Sequence, residues 1–223
     1  MSTNFKNLLR SRITNGWNLF WLITAPISIV IILAMVQLDL TRVEAIRALI
    51  QLSVRCAVPW LFLAFAASSL HQVFPSLLSH WLLSNRKIIG LNFAAAMGWQ
   101  LFFIVWLMGM HTQYFVEDLF VLSTTIEGLV AYTFLLLMVL TSFKFGRSLL
   151  NPKQWKTLHK TGMYWLWAYV WGTYWAKIFF AQNPVFLDYA YYWIGFLAWA
   201  IRMYAWSKKR WKVTAINHPH AQD

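Results

Sequence analysis

Residues 15–37 read NGWNLFWLITAPISIVIILAMVQ, a continuous apolar run without one charged side chain. About 20 such residues in a helix cross the roughly 30 Å hydrocarbon core of a bilayer. In lipid every backbone polar group must be satisfied within the protein, which leaves helices or closed barrels. The run shows none of the period-two alternation that a barrel strand requires, so it predicts a transmembrane helix. Working outward, comparable runs lie near 49–70, 88–108, 120–143, 163–181 and 190–205. The expected fold class is therefore an all-α integral membrane protein, a six-helix transmembrane bundle spanning 15–207. A segment 1–14 precedes it, and a basic then polar tail, 208–223, follows.

Composition agrees with this reading. Of the 223 residues, 60% are hydrophobic, 18% aromatic and only 12% charged, a balance that a soluble domain of this size could not hide. The single cysteine, Cys56, excludes a disulfide framework within the chain and any CxxC site. A net charge of +12 raises the question of nucleic acid, but the basic residues fall in short loops between apolar runs and no basic, aromatic-studded domain is present. No nucleic-acid partner is expected. Lys6, Arg10 and Arg12 ahead of the first run imitate a signal peptide. That run is long and lacks a small-residue cleavage site, so it reads as a retained first span.

Orientation follows from the basic residues. With the N-terminus inside, every one of the 19 lysines and arginines falls on inner segments except Arg42, Arg47, Arg55 and Lys177. The outer segments carry Asp39, Glu44, Glu117, Asp118 and Asp188. The positive-inside rule then places both termini in the cytoplasm, in a multi-pass protein of a bacterial cell inner membrane. The lipid bilayer is its first expected partner.

Among six histidines, His218 and His220 flank Pro219 in the polar tail and read as solvated. His71 and His80 sit at the inner end of the second span and its loop, and His111 at the outer end of the third; each reads as an interface residue. His159 differs, because it follows Trp155 at the inner entrance of the fifth span in Gln154-Trp155-Lys156-Thr157-Leu158-His159. An intramembrane imidazole is the usual partner of haem iron, and a helix bundle suits haem.

The neighbourhood of His159 carries a resemblance. Thr141-Ser142 closes the fourth span, a loop with Arg147, Ser148 and Leu149 follows, and Trp-x-x-Leu-His opens the fifth. Arg86-Lys87-Ile88-Ile89-Gly90-Leu91 opens the third span. Together these stretches resemble the ferric reductase-like transmembrane domain family, and within it the short bacterial branch that includes the haem-bearing membrane subunit of the periplasmic methionine sulfoxide reductase system. The resemblance covers roughly residues 45 to 210. It implies transmembrane electron transfer, an oxidoreductase role, through b-type haem held between the third and fifth spans.

Two departures qualify that implication. The family pattern has a histidine ten residues after the glycine opening the third span, where this chain has Gln100, and a second thirteen residues beyond the Leu-His histidine, where it has Gly172. Both ligands of one outer haem are lost together, since an amide is a poor iron ligand and glycine none. At most one haem b is expected. His159 stands as the candidate iron ligand, with His71 at the same face as its candidate second ligand. Two alternatives stay open: iron held in another register by His111, Met97 or Met163, and a core that has lost haem altogether.

The remaining features are structural. Glu127 in the fourth span is expected to pair with Arg55 or Lys177, because an intramembrane charge is costly alone. Pro26 and Pro59 are expected to kink the first two spans. Tyrosines and tryptophans crowd the fifth and sixth spans as anchors, packing groups or an electron route. No Walker sequence, dinucleotide fingerprint, HExxH or nucleophile elbow occurs, so a reductant would come from quinol or a separate flavoprotein. Two functions compete: an electron-transfer subunit serving a periplasmic acceptor, and a haem-free scaffold or assembly subunit for a partner protein.

Overall fold

The computed structural model describes residues 3–116, 122–181 and 183–217. These form helices α1 (Thr3–Arg10), α2 (Gly16–Gln37), α3 (Val43–Val73), α4 (Leu77–Ser84), α5 (Arg86–Met110), α6 (Thr112–Tyr114), α7 (Leu122–Leu140), α8 (Lys144–Ser148), α9 (Pro152–Phe180) and α10 (Phe186–Asn217). No strand occurs among the described residues. The all-α expectation holds, and α2, α3, α5, α7, α9 and α10 stand where six apolar runs were read. Three of them, α2, α3 and α5, are long and apolar enough to cross a membrane. Their 22, 31 and 25 residues extend about 33, 46 and 37 Å at the helical rise. The apolar stretch of α7 is shorter, Thr125–Leu140. Residues 120 and 121 of the fourth expected run, Glu117, Asp118 and the tail histidines lie outside the described residues.

Local chemistry sets the helix boundaries. Gly16 takes φ 61°, a left-handed conformation that glycine adopts without a Cβ penalty, and it lets the chain turn into α2. Its N–H donates to Asn85 Oδ1 at 3.0 Å, and the Asn85 amide donates to Asn15 Oδ1 at 2.8 Å. Asn85 thus ties the start of α2 to the junction of α4 and α5. Helix α4 opens on a reciprocal Ser76–Ser79 capping box, and α9 on an Asn151–Gln154 box with Pro152 in its first turn. Both boxes satisfy otherwise orphaned backbone donors.

Helix α3 is the hub. It packs most extensively along α5 and also against α10, α4, α9 and α2. Ala57, Val58, Leu61, Phe62 and Phe65 of α3 form the middle of the core, together with Ile89, Phe93 and Met97 of α5 and Leu166, Val170 and Tyr174 of α9. Polar pairs join α2 to α5: Thr24 donates to the buried Asn92 at 2.6 Å, and Trp99 Nε1 donates to Ser28 Oγ at 3.0 Å. Side-chain hydrogen bonds across helices are a common adhesive in lipid.

Contacts between helices also give their directions. Arg55 and Phe65 of α3 meet Tyr191 and Arg202 of α10, so these helices run parallel. Arg86 of α5 meets Ala64 of α3, while Arg47 near the start of α3 meets Tyr114 just beyond α5, so α5 runs opposite. Tyr132 of α7 meets Gln100 of α5 while Phe143 beyond α7 meets Lys87, and Gly128 and Thr141 meet Tyr169 and His159 of α9, so α7 runs with α3 and α9 against it. One end of the bundle therefore gathers Arg86, Lys87, Lys144, Arg147 and Lys160. The opposite end gathers Asp39, Glu44, Glu127 and Asp188.

The exterior is apolar over much of its area. Val36 is 80% exposed, Leu129 68% and Phe180 73%, among many other large apolar side chains. Contiguous apolar surface on this scale marks an interaction with membrane or protein rather than water. The molecule has the surface of a membrane protein.

Candidate functional site

At the basic end, His159 lies in the second turn of α9, and its imidazole is held from two sides. Its Nε2 is 3.0 Å from Thr141 Oγ1, and its ring meets the Trp155 ring at 4.3 Å. Trp155 Nε1 donates to the Thr141 carbonyl at 3.1 Å, and Arg147 lies 4.7 Å over the Trp155 ring. The sequence stretches Thr141-Ser142, Arg147 and Trp-x-x-Leu-His thus converge in space. A threonine hydroxyl has one proton to give. Thr141 Oγ1 also lies 2.7 Å from the Leu137 carbonyl, which can only accept, and its single proton goes either there or to His159 Nε2, according to the imidazole tautomer.

His71 occupies the last turn of α3. Its Nδ1 is 3.2 Å from Ser79 Oγ, and its ring meets that of His80 at 5.7 Å. No hydrogen bond or ring contact joins His71 to His159; His71 is engaged by Ser79 and His80, and His159 by Thr141 and Trp155. His111 caps the far end of α5, with Nε2 buried and unpartnered. Met97 and Met163 are packed into the main core.

At the level where the family resemblance implies an outer haem, the residues do not fit that group. Gln100 Oε1 accepts from the Tyr132 hydroxyl at 2.8 Å, which ties α5 to α7. Gly172 has no side chain, and a Cβ built there would meet nothing within 4 Å. Ala96, Met97, Ala131, Leu135, Leu166 and Val170, contributed by α5, α7 and α9, belong to one packed cluster. Among the described residues no group of three or more His, Cys, Asp and Glu side chains is gathered as metal ligands.

The aromatic residues of α9 and α10 pack in order. Phe65 stacks on Trp167 with centroids 5.5 Å apart, Trp167 on Trp171 at 5.4 Å, and Trp171 on Tyr192 at 5.3 Å. The planes diverge by 11°, 9° and 19° respectively. The indoles also bond across the helices, Trp167 Nε1 to the Gly195 carbonyl at 2.9 Å and Trp171 Nε1 to the Tyr192 carbonyl at 3.1 Å. Packing and polar adhesion therefore account for these side chains together.

The acidic end holds a polar cluster whose composition differs from expectation. Lys177 pairs with Asp188 at 3.7 Å, not with Glu127, which is exposed on α7. The reason is position: α9 ends and α10 begins at this end, so Asp188 lies beside Lys177, whereas Glu127 faces outward. Asp188 Oδ2 also accepts from the Val185 N–H at 3.1 Å, securing the entry to α10. Three buried atoms here have no hydrogen-bond partner: Arg55 Nε, Tyr174 Oη and Asp188 Oδ1. Asp188 stood in the sequence as a mere outer-loop acid, and nothing local marked it as the buried partner of a lysine eleven positions earlier.

No family model, curated protein or solved structure matches the chain.

Proposed function

We propose that the chain is a haem-free, divergent ferric reductase-like domain serving as a membrane scaffold or assembly subunit for a partner protein. In this reading it crosses a bacterial inner membrane six times, with both termini in the cytoplasm. The observation that carries the proposal is the state of the ligand positions. Gln100 is bonded to Tyr132, Gly172 offers no ligand, and His159 Nε2 is engaged by the Thr141 hydroxyl. The six-span arrangement is supported by the bias of charge, with Arg86, Lys87, Lys144, Arg147 and Lys160 at one end of the bundle and the described carboxylates at the other beside Arg42, Arg47, Arg55 and Lys177. Exposed aromatics such as Phe180, Phe186 and Trp193 on α9 and α10 supply lateral apolar surface for a partner.

The test is an oxidised and dithionite-reduced absorption spectrum, with pyridine haemochrome quantitation, on protein purified from its native membrane. A colourless protein that retains a stoichiometric partner under mild extraction supports the scaffold. A colourless chain that retains no partner rejects it.

A second reading, electron transfer through a single b-type haem on His159, draws on the Phe65–Trp167–Trp171–Tyr192 stack as part of an aromatic path. About one haem per chain, lost on His159→Ala, would favour it over the scaffold.

A further inference from the structure

Two guanidinium groups meet at the basic end without a counter-charge among the described residues. Arg86 of α5 donates from Nε to the Ala64 carbonyl at 2.9 Å. Arg202 of α10 donates to the neighbouring Phe65 carbonyl at 3.0 Å and to the Tyr164 hydroxyl at 2.9 Å. Arg202 is further sandwiched by the rings of Phe65 and Tyr164, at 4.5 and 4.4 Å. Both cations are thereby aimed from different helices at adjacent carbonyls of α3, and each is half-buried. The described carboxylates, Asp39, Glu44, Glu127 and Asp188, all lie at the opposite end. Half-buried like charges held side by side are costly unless an anion joins them.

Beside this pair a groove of about 550 Å³ opens on α9. Tyr164, the hydroxyl partner of Arg202, lines it, so the guanidinium stands directly behind one wall of the groove. Its mouth carries the exposed Lys160 with the hydroxyls of Thr157 and Thr161, and its floor continues over the apolar Trp165 and Ala168. Cation and hydroxyl donors at the end of the bundle, followed by apolar surface along the helix, match an amphiphile with an anionic head. A free phosphate would use the first part only.

We propose that this groove binds an anionic phospholipid, its phosphate at Lys160 and the Thr157 and Thr161 hydroxyls in the positive field of Arg202 behind Tyr164, and an acyl chain along Trp165 and Ala168. Arg86 adds positive field from the neighbouring α5 without closing the groove. The site is independent of haem and of the scaffold reading, and its ligand chemistry is set by charge and by the polar-to-apolar order of the lining.

The full chain in mild detergent is titrated with phosphatidylglycerol, with phosphatidylcholine, and with inorganic phosphate, and binding is read by native mass spectrometry and by the shift in thermal unfolding. Phosphatidylglycerol is expected to be retained and to raise the unfolding temperature; phosphatidylcholine and phosphate are expected to do neither. Lys160→Gln, at an exposed position, is expected to weaken the phosphatidylglycerol response roughly fivefold, the effect of one basic residue near an anionic headgroup. Arg202→Gln should weaken it further, and because that change also removes an anchor on α3, Lys160→Gln carries the decision. Equal responses to both lipids overturn charge recognition. An equal response to phosphate alone overturns the lipid assignment in favour of a soluble anion, and an unchanged response in Lys160→Gln overturns the site.

Discussion

The Tyr191 hydroxyl on α10 donates to the Arg55 carbonyl on α3 at 2.8 Å, and the carbonyl is free to accept because of Pro59. Residue 59 would ordinarily supply the N–H for the carbonyl of residue 55, but proline has none. Within an apolar bundle an unpaired carbonyl is costly, and a side chain 136 residues away in the sequence satisfies it. The proline of one helix thus opens the docking point of another.

Tyr191→Phe is expected to destabilise the protein by about 0.5–2 kcal/mol, the range for such bonds in membrane and soluble proteins. Pro59→Ala restores the helical donor, so the same Tyr191→Phe change should cost much less in that background. Unfolding in detergent, run as a double-mutant cycle, measures the difference; equal costs in both backgrounds would reject the relationship.

The contact of α9 with α10 depends on a missing side chain. A Cβ at Gly195 would lie 2.8 Å from both Phe62 Cζ and Trp171 Cδ1, closer than packed atoms tolerate. Gly195→Ala is expected to cost about 1–3 kcal/mol, as overpacking of a filled core does. Gly172→Ala, where an added Cβ meets nothing within 4 Å, serves as the control and should be close to neutral in the same thermal assay.

The ion pair at the acidic end gives a prediction about coupling. Lys177→Met and Asp188→Asn, made singly and together, should show an interaction of about 1 kcal/mol, kept modest because Lys177 is a third exposed and solvent screens it. Asp188→Asn alone should be the more damaging single change, since it weakens the entry to α10 as well. Glu127→Gln combined with Lys177→Met should be additive, and measurable coupling in that cycle would overturn the assignment of Asp188 as the partner.

The network around His159 predicts what its removal does. His159→Ala should lower stability by about 1 kcal/mol through loss of the Thr141 bond and the Trp155 contact, with no change in visible absorption. Thr141→Val removes the hydroxyl partner and should cost a similar amount, and the two changes together should cost less than their sum. A haem spectrum that disappears in His159→Ala would overturn this account.

That the chain is helical and suited to lipid is legible along the sequence, because the length of an apolar run and the absence of charge within it are local properties. The gathering of most basic residues at the end away from the described carboxylates is legible too, since alternating helix directions turn a linear pattern of loops into two faces. The capping boxes at Ser76 and Asn151 were open to reading for the same reason, as their partners lie three residues away. Only the tertiary structure decided the partners of the polar groups. Thr141 for His159, Tyr132 for Gln100, Asp188 for Lys177 and Tyr191 for Arg55 each come from another helix, and the pairing depends on how each helix is rotated about its axis. That rotation is set by packing against α3 and α5, which hydropathy along one strand of sequence does not encode.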